Sequence, residues 1–79
     1  MSDLSEFVRY LACQLVDHPD AVQVEMRDGT TVMYELRVDP EDQGRMIGRE
    51  GRTIQAVRAL VSAAARKQGG EATVELAEE

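Results

Sequence analysis

The chain has 79 residues, a formal net charge of -6, 43% hydrophobic and 30% charged residues, one cysteine and one histidine. A chain this short buries only about 60% of its unfolded surface, too little to wrap an enclosed active site, and its balanced composition excludes disorder and a membrane span. Cys13 alone forms no internal disulfide, and no second cysteine or histidine beyond His18 offers metal-ligand spacing, so no metal or cofactor is expected.

The start, Met1-Ser2-Asp3-Leu4, has no basic stretch leading into an apolar one, which argues for a cytoplasmic protein. Asp3 and Glu6 have the spacing of a capping box. Leu4, Phe7, Val8, Leu11, Ala12, Leu15 and Val16 then recur at three-and-four spacing, an amphipathic helix that Pro19 is expected to stop by disfavouring helical geometry at His18. Cys13 lies beside that apolar stripe and reads as small core filler.

Val22, Val24 and Met26 alternate with polar residues, as do Val32, Tyr34, Leu36 and Val38, giving two strands around Asp28-Gly29. A two-residue loop would mix the faces. A three-residue loop, Asp28-Gly29-Thr30, would oppose Met26 to Val32, Val24 to Tyr34 and Val22 to Leu36, with Gly29 supplying a backbone conformation that other residues resist.

Asp39-Pro40-Glu41-Asp42 reads as a helix start: Asp39 caps, Pro40 suits the first position, and the acids favour the positive end of the dipole. That short helix runs through Arg45, Met46 and Ile47 to Gly48. A longer helix starts near Gly51 or Arg52, turns Ile54, Val57, Leu60, Val61, Ala64 and Ala65 inward, and ends at Gly69-Gly70; Ala72, Val74 and Leu76 then alternate as a last strand. The order is helix, strand, strand, helix, helix, strand. The hairpin is antiparallel, and the right-handed crossover through two helices leaves its strands parallel, so an α+β domain with a three-stranded mixed sheet and helices on one face is expected over residues 1–79.

Residues 44 to 70 hold Arg45, Arg49, Arg52, Arg58, Arg66 and Lys67 against Glu50 alone, a segment of +5 on a remainder of -11. Within it, Gly48-Arg49-Glu50-Gly51 joins two helices between Met46-Ile47 and Ile54. Glycines let a phosphodiester backbone approach, amides at the following helix start face phosphate oxygens, and arginines add charge. Arg49 at the tip is the expected phosphate contact, with Arg45 and Arg52 flanking it. Glu50 places a negative charge beside them.

The segment Ile47-Gly48-Arg49-Glu50-Gly51-Arg52-Thr53-Ile54 resembles the KH motif, and the element order resembles the second KH topology. The resemblance covers essentially the whole chain, and Asp42-Gln43-Gly44-Arg45-Met46-Ile47-Gly48-Arg49 is most similar to the short bacterial KH proteins of the KhpA type. It implies a single-domain binder of single-stranded RNA, an RNA chaperone or post-transcriptional regulator. It also implies self-association as a homodimer and pairing with a larger KH protein of the KhpB (Jag) type. About four unpaired nucleotides would lie in a groove whose candidate residues are Gly44, Ile47, Ile54 and Val38. Phe7, Tyr10 and Tyr34 are the only aromatics and lie outside the loop, so base stacking is not the expected source of affinity, and binding is expected to be weak, salt-sensitive and poorly selective.

The alternative is a KH-fold interaction module. Ala56, Ala59 and Ala63 fall on one side of the long helix, a smooth strip against which a second helix could pack, although alanine is also the best helix former for a solvated face. An enzyme is not expected: neither Ser5 nor Ser62 has an evident base, His18 is the lone histidine, and the glycine pair does not match the longer phosphate loop ending in Lys-Ser or Lys-Thr.

Overall fold

The computed structural model describes residues 3–77. Its first helix, α1 (Ser5–Leu15), begins where Asp3 accepts the Ser5 amide at 2.8 Å and the Ser5 hydroxyl at 2.6 Å. This corrects the expected capping box, since Leu4 takes the N-cap position and Glu6 returns no bond there among the described residues. The Leu4 amide donates instead to the fully buried Tyr34 hydroxyl at 2.8 Å. Leaving that donor unpaired would cost about 1–3 kcal/mol, so a sheet residue anchors the helix start. α1 buries Val8 and Ala12 and stops at Leu15, ahead of the stop expected at Pro19. Val16 turns extended, and the Asp17 and His18 amides both donate to the Asp42 carboxylate rather than continuing the helix.

β1 (Gln23–Arg27) and β2 (Val32–Arg37) pair antiparallel, with Val24 opposite Leu36 and Met26 opposite Tyr34. The register is two residues away from the expected one, and the connection Asp28–Thr31 is longer than three residues. Gly29 is not among the glycines with positive φ, so the turn does not use its conformational freedom. A slip of two residues keeps every side chain on its face, so alternation alone could not detect it. Carried one residue further, this register sets buried Val22 across from buried Val38, an apolar pair that the shorter loop would have lost.

After β2, Asp39 caps a single 3-10 turn, Pro40–Asp42, by accepting the Glu41 amide at 2.9 Å. Next come α2 (Gln43–Ile47), a 3-10 turn at Arg49–Gly51, α3 (Arg52–Lys67) and β3 (Ala72–Leu76). β3 pairs parallel to β2, with Tyr34 beside Val74, and the sheet order is β1-β2-β3. The Gln43 side chain donates to the Ala77 carbonyl at 2.8 Å, which sets the start of α2 against the end of β3.

Ile54, Val57, Val61 and Ala65 of α3 meet Val8 of α1 and Tyr34 and Leu36 of β2 in one core. Each large apolar side chain fully removed from water there contributes about 1.5–3 kcal/mol. Leu60, expected inside, is 51% exposed. It sits at the border of the apolar stripe, where 3.6-residue periodicity does not distinguish core from rim. Cys13 is partly buried against this core, as expected of filler.

Candidate nucleic-acid interface

The loop between α2 and α3 needs glycine at Gly48 for two separate reasons. Its φ is 74° and its ψ 176°, a backbone conformation that side chains resist, and an added Cβ would lie 2.1 Å from Thr53 Oγ1 and 2.9 Å from the Thr53 amide nitrogen. Gly51 is left-handed at φ 75°, but its nearest neighbour to an added Cβ is Gln55 Nε2 at 3.8 Å, so only conformation demands glycine there. Between them Glu50 adopts φ 57° and ψ 27°, the one non-glycine residue with positive φ among those described. The Gly48 amide closes α2 onto the Gly44 carbonyl at 2.9 Å, and the Gly51 amide reaches the Gly48 carbonyl at 3.2 Å. No side chain caps α3 at its start; the Arg52 amide donates to the Arg49 carbonyl of the loop, and the positive end of the α3 dipole faces the loop.

Arg49 is exposed at the tip; its carbonyl accepts the Arg52 amide, and its guanidinium has no hydrogen-bond or ion-pair partner among the described residues. Arg52 lies 4.0 Å from Glu50, both side chains largely in solvent. Arg45 is engaged elsewhere: its Nη2 donates to Asp17 at 2.9 Å, and its Nε lies 3.8 Å from Asp42. Thus Gly48, Arg49, Glu50, Gly51 and Arg52 come together on the surface, while Arg45 faces the connection after α1. Gly44 is exposed one turn before Gly48, and Ile47 is 42% exposed beside the loop. Ile54 and Val38 belong to the core, so they can offer a floor but not an open contact.

In the sequence Arg58 and Arg66 stand out only as charge. On α3 they line a polar groove of about 310 Å³ with Gln55, Ala59 and Ser62. Gln55 brings the groove close to the loop, since its Nε2 lies 3.8 Å from where a Cβ on Gly51 would stand. Arg58 Nε donates to the Val74 carbonyl of edge strand β3 at 2.9 Å, and Arg66 Nη2 donates to Ser62 Oγ at 3.0 Å. The spacing Arg58, Ser62, Arg66 is i, i+4, i+8 and would have placed these three on one stripe.

A second depression, about 400 Å³ and almost wholly apolar, lies between α1 and α3 with Leu11, Leu15, Arg52, Ala56, Val57 and Leu60 on its walls. Arg52 and Thr53 bring it too up to the loop, but its apolar walls do not suit phosphate, whereas the basic groove does. Ala56 belongs to the apolar groove and Ala59 to the polar one, with Ala63 exposed beyond them.

Asp42, read from sequence as one of two acids at a helix start, is 1% exposed and holds the site together. Its Oδ1 accepts the Asp17 amide at 3.1 Å, and its Oδ2 takes the His18 amide and His18 Nδ1, both at 3.0 Å. Burial by itself would raise the Asp42 pKa; the Asp17 and His18 amides and the imidazole outweigh it and hold the carboxyl below its ordinary value. The bond to Asp42 in turn raises His18 above its ordinary value. The connection after α1 is thereby clamped to the turn that launches α2 and the glycine loop.

The opposite surface carries the other sign. Glu25, Glu35 and Glu75 form a row across all three strands. Arg27 lies 3.1 Å from Glu35 and 3.5 Å from Glu25, and Arg37 lies 3.9 Å from Glu35, so two arginines relieve part of the repulsion among the three carboxylates. A polyanion is therefore drawn to the loop and α3 rather than to the sheet.

Residues 5–76 match the family described as KhpA/KhpB, KH domain. The chain is 46% identical over 74 residues to the RNA-binding protein KhpA of Caldanaerobacter subterraneus subsp. tengcongensis, covering 92% of this chain and 99% of that one. Identity to the RNA-binding protein KhpA of Halalkalibacterium halodurans is 48% over 66 residues, 82% of this chain and 87% of that one. For the Aquifex aeolicus protein of the same name it is 42% over 79 residues, 99% and 100% of the two chains. Among solved structures, Era of Aquifex aeolicus, bound to GDP and aluminium fluoride, superposes with a TM-score of 0.70 at 18% identity over 91% of this chain and 28% of its own, a likeness of fold. By the extent of the family match and these identities, the chain belongs to the KhpA/KhpB family of KH domains.

Proposed function

We propose that this protein binds single-stranded RNA, gripping its backbone at Gly48-Arg49-Glu50-Gly51 and running it along the polar groove of α3. The observation that carries the reading is the loop itself: Gly48 has no room for a Cβ, and the neighbouring Arg49 guanidinium is exposed without a partner among the described residues. Arg52 adds charge, and Gly44 and Ile47 offer a small and an apolar surface beside it. Arg58, Ser62 and Arg66 supply donors further along, and three of the relatives above are named RNA-binding proteins. With no aromatic side chain in the loop or the polar groove, contact is mainly to phosphate and sugar, so binding is salt-sensitive and weakly selective.

The 79 residues act in this reading as one cytoplasmic binding module rather than a catalyst. Core residues come from α1, α2, α3 and all three strands or their ends, and no described helix is long and apolar enough to cross a membrane. Self-association as a homodimer, or pairing with a larger KhpB-type KH protein, fits the apolar groove between α1 and α3, where Leu15 is 38% exposed beside Leu60.

An amide chemical-shift titration with a short unstructured RNA at low and moderate salt tests the reading. Shifts centred on Gly48 to Arg52 and spreading to Gln55, Arg58 and Ser62 are expected, and they should weaken with salt. The double variant Arg49→Asp with Glu50→Asp should fold, because aspartate tolerates the left-handed backbone at position 50, yet lose those shifts. Unchanged affinity in the folded variant would remove the loop as the contact.

A further inference from the structure

The fold brings His18, Asp39 and Glu41 together, although nothing in their sequence spacing marks them as a set. The His18 side chain is 43% exposed; its Nδ1 lies 3.0 Å from Asp42 Oδ2 and its Nε2 lies 3.4 Å from Glu41 Oε1. One ligand atom from each of His18, Asp39 and Glu41 lies within 4.8 Å of the other two.

A carboxylate only accepts, so Nδ1 must carry the proton in the bond to buried Asp42. In the neutral ring Nε2 then presents its lone pair toward Glu41 at 3.4 Å, a gap that either the second proton of the imidazolium or a metal cation would fill. That separation is also about the edge of a tetrahedron whose ligands lie about 2.0–2.1 Å from a central ion. Asp39 is fixed as well, because one of its oxygens accepts the Glu41 amide at 2.9 Å. A buried carboxylate behind a histidine is the arrangement that orients an imidazole and raises its basicity as a metal ligand.

The geometry points to a divalent transition-metal site at His18, Asp39 and Glu41, of the zinc class, with Asp42 as the outer carboxylate. One imidazole and two carboxylates suit zinc, cobalt or nickel, whereas magnesium and calcium favour oxygen ligands alone. Three protein ligands leave positions for water. The ion would tie the connection after α1 to the turn before α2, reinforcing the Asp42 clamp, and the inference stands whether or not RNA binds.

The test is a zinc titration of the intact chain followed by NMR, with magnesium as control. The variants are His18→Ala, Glu41→Gln, Asp42→Asn and Cys13→Ala. Saturable one-to-one shifts of the His18 ring and the Asp39 and Glu41 amides are expected, with a rise in melting temperature. His18→Ala should abolish them, and Asp42→Asn should weaken binding by about 10–100-fold. Glu41 is 78% exposed, so Glu41→Gln should keep the fold and weaken zinc at least about tenfold if the carboxylate is a ligand. Cys13 lies close by, its Sγ 3.9 Å from the Pro19 carbonyl, and Cys13→Ala should leave affinity unchanged. The site is refuted by any of three results: no saturable response at millimolar zinc, which would mean that the pair holds a proton only; equal affinity in Glu41→Gln; or loss in Cys13→Ala.

Discussion

His18 Nδ1 lies 3.0 Å from Asp42 Oδ2, and through that contact the segment leaving α1 is held to the turn that begins α2. The two groups are shifted apart and stabilise the fold in opposite pH directions. Asp42 is held below its ordinary 3.8, so its contribution is full above that value and is lost as pH falls through its folded pKa. His18 is raised above its ordinary 6.5, so its contribution is full below that value and is lost as pH rises through its folded pKa.

The pair is therefore most stabilising between about pH 4 and pH 6.5. In melts of chelator-treated protein, the advantage of wild type over His18→Gln should shrink as pH rises above 6.5. Parallel melting curves from pH 5 to 9 would show that the imidazole contributes nothing to the clamp.

Gly48→Ala and Gly51→Ala should separate in magnitude. At Gly51 alanine meets only the left-handed backbone cost, about 1–2 kcal/mol. At Gly48 it also meets Thr53 Oγ1 and the Thr53 amide, so the loss should exceed that and the loop should move. Urea denaturation gives both values, and equal losses would contradict the collision.

Arg49→Ala should leave the melting temperature unchanged while RNA affinity falls. The slope of log affinity against log salt should drop by about 0.7, the expectation for one phosphate contact on a single strand. A changed affinity with an unchanged slope would move the phosphate contact elsewhere.

Asp17→Asn should act in the opposite direction. Asp17 occupies Arg45 at 2.9 Å, and releasing that cation should raise RNA affinity at low salt on the order of two- to fivefold, the range of an exposed ion pair. Lower affinity would mean that Asp17 serves to hold Arg45 in its binding position.

Self-association through the α1 and α3 groove predicts that Leu60→Arg yields monomers in sedimentation, since Leu60 is 51% exposed on its rim. Ala59→Trp, across the helix in the polar groove, should leave mass unchanged and reduce RNA binding instead. The reverse pattern would make the alanine strip of Ala56, Ala59 and Ala63 the seam.

Much of this molecule was legible before folding, because periodicity records direction. Alternation at Val32, Tyr34, Leu36 and Val38 declared the core face, three-and-four spacing did the same for Val57, Val61 and Ala65, and the Gly48 to Gly51 loop announced itself between two helices. What periodicity does not record is which distant group a residue meets. The hairpin register kept its faces under a two-residue slip, so alternation could not choose it and only the folded packing did. α1 stops at Leu15 because a carboxylate from beyond the hairpin captures the next amides, and Arg45 faces Asp17 because that same clamp brings them together. Asp42 reads in sequence as one more acid at a helix start. Only tertiary structure buries it, and burial is what makes its hydrogen bonds decisive.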